Sequence, residues 1–165
     1  MYYNNDMISC YIPGRGTLEI NHLVCDMNGT LTLDGELLPG IADAFDLLKD
    51  HVTIHLVTAD TFGKLTEIKE KLGSCVGLFH RLTPGSEAEQ KLEYIESLDD
   101  PGVAAIGQGT NDRLMLKGAG LGICVLSAEG CAVETLLSAD VLMPDIHAAL
   151  DLFLHPDRLK ATLRQ

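Results

Sequence analysis

The sequence has no concentration of basic residues. Its 165 residues include 12 Lys+Arg against 24 Asp+Glu, a formal net charge of −12. Phosphate backbones and anionic lipid surfaces are held by Lys/Arg patches, so neither nucleic acid nor a membrane surface is expected as a main partner. No Cys-x-x-Cys pair occurs among Cys10, Cys25, Cys75, Cys124 and Cys131. An odd number of thiols, several inside apolar runs such as "LVCD" and "GICVL", reads as reduced core cysteines rather than a disulfide framework or metal site. The six histidines are scattered without metal-ligand spacing. No run reaches the roughly 18 apolar residues that a membrane helix needs. The first residues, "MYYNNDMISC", lack the basic-then-apolar plan of a signal peptide. A soluble, cytoplasmic protein is expected, and neither internal repeats nor low-complexity segments interrupt it. With 46% hydrophobic and 22% charged residues, the chain can bury a sizeable core, and its length suits one domain over 1–165.

Strand-like and helical patterns alternate through most of the chain. "HLVCD" at 22–26 reads as a buried strand, and 39–49 follows with Ile41, Ala44, Phe45 and Leu48 at helical spacing. "VTIHLVT" at 52–58 is a β-branched strand; Leu65, Ile68 and Leu72 mark a helix stopped by Gly73. A strand is expected near 76–78. Ser86 with Glu89 has the pattern of a capping box opening a helix to about Leu98. "VAAIG" at 103–107, a short helix at 112–117, "LGICVL", a helix near 132–137, "DVLM" and a helix at 146–154 complete the series. Such alternation specifies a mostly parallel sheet covered by helices on both faces, an α/β fold of Rossmann-like type. Residues 1–20 differ: "DMISCYIP" and "GTLEI" around Pro-Gly-Arg-Gly read as a β-hairpin extension, expected to add antiparallel to the sheet edge. The tail 155–165 reads as an amphipathic helix serving packing or an oligomer surface.

Ligands of open α/β sheets bind beyond the carboxyl ends of the strands, where strand order reverses. The residues following the strands are therefore the candidates. They are Asp26-Met27-Asn28-Gly29-Thr30, Thr58-Ala59-Asp60, and Gly107-Gln108-Gly109-Thr110-Asn111-Asp112, with Lys91 on the helix opened by Ser86. These parts suit a phosphoryl group. A carboxylate at Asp26 can act as nucleophile and as a hard oxygen ligand for Mg²⁺. Thr58 and Lys91 can hold phosphate oxygens and offset their charge. The Gly29-Thr30 turn lets backbone N–H groups approach an anion, and Asp112 can complete a metal site directly or through water. Asp60 reads more simply as the cap of the helix that follows it.

In these four segments the sequence resembles the haloacid dehalogenase-like (HAD) superfamily, whose motifs run Asp-x-Asp-Gly-Thr, a strand-terminal Ser/Thr, a Lys, and Gly-Asp-Gly-x-Asn-Asp. The likeness spans roughly residues 20–143, with all four motifs in order. It is closest to small soluble proteins similar to the phosphorylation domain of P-type ATPases: "DMNGTLT" parallels their Asp-Lys-Thr-Gly-Thr-Leu-Thr, and "TAD" their Thr-Gly-Asp. The resemblance implies Asp26 as the nucleophile that becomes an aspartyl phosphate. It implies the Asn28 carbonyl as a Mg²⁺ ligand, Thr30 as support for the loop, Thr58 and Lys91 as phosphate binders, and Asn111 and Asp112 as groups that position the metal and its water.

Two positions depart from the motif. Asn28 stands where the phosphatases have an Asp that protonates the leaving group and then activates water. A carboxamide cannot exchange a proton near neutral pH, and such help is typically worth about 10²–10⁴-fold. Gln108 replaces the Asp that usually contacts Mg²⁺, although its amide oxygen can still serve as a ligand. The expectation is a slow Mg²⁺-dependent phosphomonoester hydrolase or phosphotransferase. The competing reading is a degenerate domain that binds phosphate, metal or a protein partner without turnover. A metal-free dehalogenase fits the retained Asp112 and Gly-rich loop less well, and ion transport is not expected. Between Asp26 and Thr58, and between Thr58 and Lys91, the chain has room for a flap-like turn and single helices but not for a cap domain. The site is therefore expected to be open to a phosphoprotein, or covered by a second copy in a homo-oligomer that takes a phosphorylated small molecule.

Overall fold

A computed structural model describes residues 7–165. The chain begins with a hairpin, β1 (Ile8–Ile12) and β2 (Gly16–Ile20), then enters β3 (His22–Asp26). A two-residue-strand flap, β4 (Thr32–Leu33) and β5 (Glu36–Leu37), leads to α1 (Ile41–Leu48) and β6 (Thr53–Thr58). Next come α2 (Leu65–Leu72), β7 (Leu78–Arg81), α3 (Glu87–Ser97) and β8 (Val103–Gly107). The chain finishes with α4 (Arg113–Gly118), β9 (Leu121–Val125), α5 (Val133–Ser138), β10 (Val141–Met143), α6 (Ile146–Leu154) and α7 (Asp157–Leu163).

Six strands form one sheet in the order β10-β9-β8-β3-β6-β7, and every pairing in it is parallel. The order follows from the sequence pattern. Side chains on a strand alternate between faces, and both faces here are covered. Leu23 and Cys25 of β3, Ile54 and Leu56 of β6, and Ala104 and Ile106 of β8 point into a core shared with Phe45 and Phe153. Val24, Val57, Val103 and Ala105 point the other way, onto Ile95, Met115 and Leu116. Each fully buried Leu, Ile or Phe contributes about 1.5–3 kcal/mol, so the two-sided burial is what holds the sheet. From β3 the chain runs outward to β6 and β7 on one side, then returns to build β8, β9 and β10 on the other. Strand order therefore reverses between β3 and β8, beside Asp26.

The hairpin does not extend the sheet edge as its sequence suggests. β1 and β2 pair only with each other, with Ile8 opposite Ile20 and Ile12 opposite Gly16. Ile8, Ile12 and Ile20 are buried, and the hairpin packs on α7. The Cys10 thiol donates to the Pro156 carbonyl (3.3 Å) and the Gln165 N–H to Pro13 (3.1 Å). The hairpin thus spends its apolar face on the C-terminal helix, which is shorter than the tail's pattern implies. The first six residues of the expected hairpin extension lie outside the described residues.

Two local expectations are also corrected. The strand expected at 76–78 lies at 78–81, because a single 3₁₀ turn at Gly73–Cys75 delays its start. The Ser86–Glu89 capping box does not form: Ser86 makes no side-chain cap bond. Instead Gln90 reaches back, accepting from the Thr83 N–H and hydroxyl (2.9 Å each) and donating to the Thr83 carbonyl (2.9 Å). No helix among the described residues is long and apolar enough to cross a membrane.

Candidate active site

Asp26 is the last residue of β3 and is 5% exposed. The chain turns sharply after it: Leu31 and Thr32 both donate N–H to the Met27 carbonyl, at 2.9 and 3.1 Å. Gly29 makes the turn at φ 77°. A Cβ there would collide with the Gln108 amide nitrogen and would lie 2.7 Å from Glu129 Oε2. The turn aims the Thr30 hydroxyl back at Asp26, donating to Oδ2 at 2.9 Å.

The other Asp26 oxygen is held from across the switch point. Lys91, one of the largest fully buried side chains, projects from α3 and donates to Asp26 Oδ1 and to Asp112 Oδ1, both at 2.6 Å. Asp112 is 0% exposed, and its Oδ2 accepts the N–H groups of Gln108 and Gly109 at 2.9 Å each. Asp112 thus closes the 107–112 loop and joins the site at once. Gly107 is required for this closure, since a Cβ there would lie 2.5 Å from the Asp112 carboxyl carbon. Lys91 is 1% exposed, unlike a solvated surface lysine.

The electrostatics follow from the packing. Burial, then the charge of Asp112, pushes the Asp26 carboxyl up to about 6, against the pull of Lys91 and Thr30. Burial pulls the Lys91 ammonium down, but Asp26 and Asp112 outweigh it and hold it above its ordinary value. Two carboxylates and one ammonium leave the cluster with one net negative charge.

Thr58 ends β6 and is 1% exposed. Its hydroxyl oxygen accepts the Asp60 N–H (2.9 Å) and Asn28 Nδ2 (3.5 Å). Both lone pairs are occupied, so the hydroxyl proton is left to donate. Asp60 Oδ1 accepts the N–H of Leu65, the first residue of α2, at 3.0 Å, which is the capping role expected for it. Asn28 Oδ1 is buried without a hydrogen-bond partner among the described residues.

Asp26, Thr30, Lys91 and Asp112 therefore form one hydrogen-bonded unit, and Asn28 is tied to Thr58. Gln108 approaches Gly29. Asn111 turns aside, its Nδ2 donating to Glu87 Oε2 at 2.6 Å. As expected, no cap domain intervenes between the motifs among the described residues. Asp26, Lys91 and Asp112 are nonetheless buried, so the site is less open than the missing cap suggests. Two carboxylates near it were missed in the sequence. Glu87 opens α3, and Glu129 follows β9, where Oε1 accepts the flap's Asp34 N–H at 3.3 Å. Reading the segment after "LGICVL" as a strand-end loop, like the other three, would have flagged Glu129. A cavity of about 390 Å³ adjoins the turn, lined in part by Gly29, Thr30, Leu33, Leu126, Pro144 and Ile146.

Whether a divalent cation suits the site is decided by its donors. Among the described residues no three His, Cys, Asp or Glu side chains group as a metal site. Mg²⁺, however, is commonly held by one or two carboxylates, substrate phosphate and water. The negative cluster and the unpartnered Asn28 oxygen meet that demand, so the residues present fit the ion.

No family model matches the chain. An uncharacterized protein of Methanocaldococcus jannaschii is 50% identical over 84 residues, covering 48% of this chain and 90% of that protein. A probable copper-transporting ATPase of Arabidopsis thaliana is 27% identical over 135 residues, 77% of this chain but 13% of the ATPase. Among solved structures, the 3-deoxy-D-manno-octulosonate 8-phosphate phosphatase of Moraxella catarrhalis, in complex with magnesium, phosphate and KDO, superposes with a TM-score of 0.66 at 16% identity, over 88% of this chain and 94% of that one. The cobalt-bound enzyme from Haemophilus influenzae gives 0.67 at 13% identity with the same shares. A Legionella pneumophila protein assigned to the HAD superfamily gives 0.64 at 16%, over 87% of each chain. At these identities the likeness establishes the fold.

Proposed function

This chain belongs to the same family as the Methanocaldococcus jannaschii protein and has the fold of the HAD-superfamily hydrolases, and from that premise we propose that it is a phosphomonoester hydrolase working through an aspartyl phosphate on Asp26. One observation carries the reading: a buried ammonium, Lys91, lies 2.6 Å from both Asp26 and Asp112 where strand order reverses. A structural ion pair needs one carboxylate per cation. Here two buried carboxylates share one ammonium, which leaves an excess negative charge where strand order reverses.

The residues divide the work as follows. Asp26 Oδ attacks phosphorus while the bond to the leaving oxygen breaks. Lys91 has three N–H groups and spends two on carboxylates, so its third holds a phosphoryl oxygen. The free Thr58 proton holds a second. Thr30 and Lys91 keep the Asp26 carboxylate oriented. Water then attacks the phosphorus of the aspartyl phosphate, releasing phosphate and restoring Asp26. Asn28 can hydrogen-bond to the leaving oxygen but cannot protonate it, so that proton comes from water and turnover is slow. Mg²⁺, which Asp26, Asn28, the Gln108 side chain and Asp112 would hold, would supply charge neutralisation on the phosphoryl oxygens. The substrate class is a phosphorylated small molecule, whose non-reacting part has the adjoining apolar cavity to occupy.

The test is phosphate release from an aryl phosphate with and without Mg²⁺, run beside Asp26→Asn. Metal-dependent release that vanishes in the variant is expected. The competing reading, phosphate binding without turnover, rests on the neutral Asn28 and Gln108. It is favoured if phosphate binds in an Asp26- and Lys91-dependent way with no release, and if Asn28→Asp with Gln108→Asp does not restore a rate.

A further inference from the structure

Among the buried groups that this chemistry leaves unused are two thiols in contact. Cys124 near the end of β9 and Cys131 in the following loop bring their sulfurs to 2.9 Å. Both are free, Cys124 buried and Cys131 partly exposed. The chain between them leaves the sheet and folds into a tight turn, with the Gly130 N–H donating to the Ser127 carbonyl (3.0 Å) and the Ser127 hydroxyl to the Gly130 carbonyl (3.1 Å). Glu129 in this loop holds the flap through Asp34. Directly after Cys131, the Ala132 N–H donates to the Gln108 carbonyl at 2.9 Å, and Thr135 donates to the Gly109 carbonyl at 2.6 Å. The thiol pair thus stands at the base of a loop tied both to the flap and to the segment that carries Asp112.

We propose that Cys124 and Cys131 are a redox-active pair that closes into a reversible disulfide and fastens this loop at its base. A disulfide needs the sulfurs about 0.9 Å closer than they are, a shift within reach of loop residues. The inference is independent of the phosphatase reading. Its chemistry needs an oxidant, and a low-molecular-weight disulfide suffices. The more exposed Cys131 gives up its proton and attacks one sulfur of that disulfide, forming a mixed disulfide and displacing the other sulfur as the first small thiol. Cys124 then loses its proton and attacks the Cys131 sulfur, displacing the second small thiol. The protein loses two hydrogens, and the small disulfide is reduced to two thiols. Burial, followed by the hydrogen bond to Cys131, pushes the Cys124 thiol up to about 12, so Cys124 is not the initiating thiol. The other cysteines are placed elsewhere: Cys25 in the core beneath β3, Cys75 beside Asp46, and Cys10 on the hairpin against Pro156.

The experiment incubates the reduced full-length chain with excess oxidised glutathione under native conditions, quenches with acid, and alkylates after denaturation. Expected are an intact mass lower by two hydrogens, alkylatable thiols falling from five to three, and a non-reducing peptide map joining Cys124 to Cys131. Dithiothreitol should reverse all three, and Cys131→Ser, verified as folded by circular dichroism, should not cross-link. Hydrogen exchange over 126–130 should slow in the oxidised form. Five alkylatable thiols after exposure, a persistent glutathione adduct on Cys131, or a cross-link between other cysteines would overturn the pair. Unchanged exchange in a cross-linked chain would overturn the fastening.

Discussion

In the proposed mechanism Asp26 must be ionised to attack, yet burial and Asp112 push its carboxyl up to about 6. The acid limb of kcat/KM should therefore fall about tenfold per pH unit below roughly that value, which a pH–rate profile with an aryl phosphate would show. Replacing Lys91 by Met removes the cation between two buried carboxylates. The Asp26 limb should then move to higher pH, and the fold should lose about 3–5 kcal/mol, read from denaturant midpoints. Asn28→Asp returns a group able to exchange protons, so steady-state hydrolysis should rise by about 10²-fold, the low end of general acid–base help. No rise would place the slow step elsewhere. Asp26, Thr58, Lys91 and Asp112 were legible because each sits at a strand end or on the helix facing it. Their selection follows from the strand-end rule for open α/β sheets together with the order of the four motifs. Glu129 is reached from the sequence only by treating the segment after β9 as a further strand-end loop, since its contact with the flap leaves no periodic trace. The Asn111–Glu87 bond likewise depends on how α3 lies against the 110–112 turn.

At the scale of elements, the buried strands were readable because runs covered on both faces are continuously apolar. The failures were at places where two local solutions compete. Gln90 displaced the Ser86 capping box by bonding the whole Thr83 backbone group. The hairpin had two apolar surfaces available to it, the sheet edge and α7, and its sequence does not distinguish them. The turn after β3 is the element on which the site depends most. Gly29→Ala must tolerate φ 77° and push Gln108 and Glu129 aside. A left-handed conformation alone costs a residue with a Cβ about 1–2 kcal/mol. The variant should lose that much stability in urea. It should also lose activity beyond what instability explains, since Thr30 would no longer be aimed at Asp26.

Across the whole molecule, a polar chain runs from α3 through β6 and β3 to Asp100. Tyr94 on α3 meets His55 Nδ1 at 2.8 Å, His55 Nε2 meets His22 Nδ1 at 2.9 Å, and His22 Nε2 faces Asp100 at 3.5 Å. One assignment of protons satisfies every link: Tyr94 donates to His55, His55 to His22, and His22 faces the carboxylate. Burial, then the neighbouring His22, holds the His55 ring down to about 4. The unfolded ring takes its proton near the ordinary value of about 6.5. Between these values the unfolded chain binds more protons, so this contribution to stability is present above pH 6.5 and lost as pH falls towards 4. Asp26 acts in the opposite sense, because its folded carboxyl takes a proton before the unfolded one does. The His55 share is isolated by comparing thermal midpoints with His55→Gln, whose decline on acidification should be shallower than the parent's. The central claim concerns the bond that Asp26 forms. The most direct measurement is acid-quench mass spectrometry of the chain incubated with Mg²⁺ and an aryl phosphate, with peptide mapping beside Asp26→Asn. The account expects a phosphoryl group on the peptide that carries Asp26, absent from the variant. Phosphate release that continues undiminished in Asp26→Asn would contradict it.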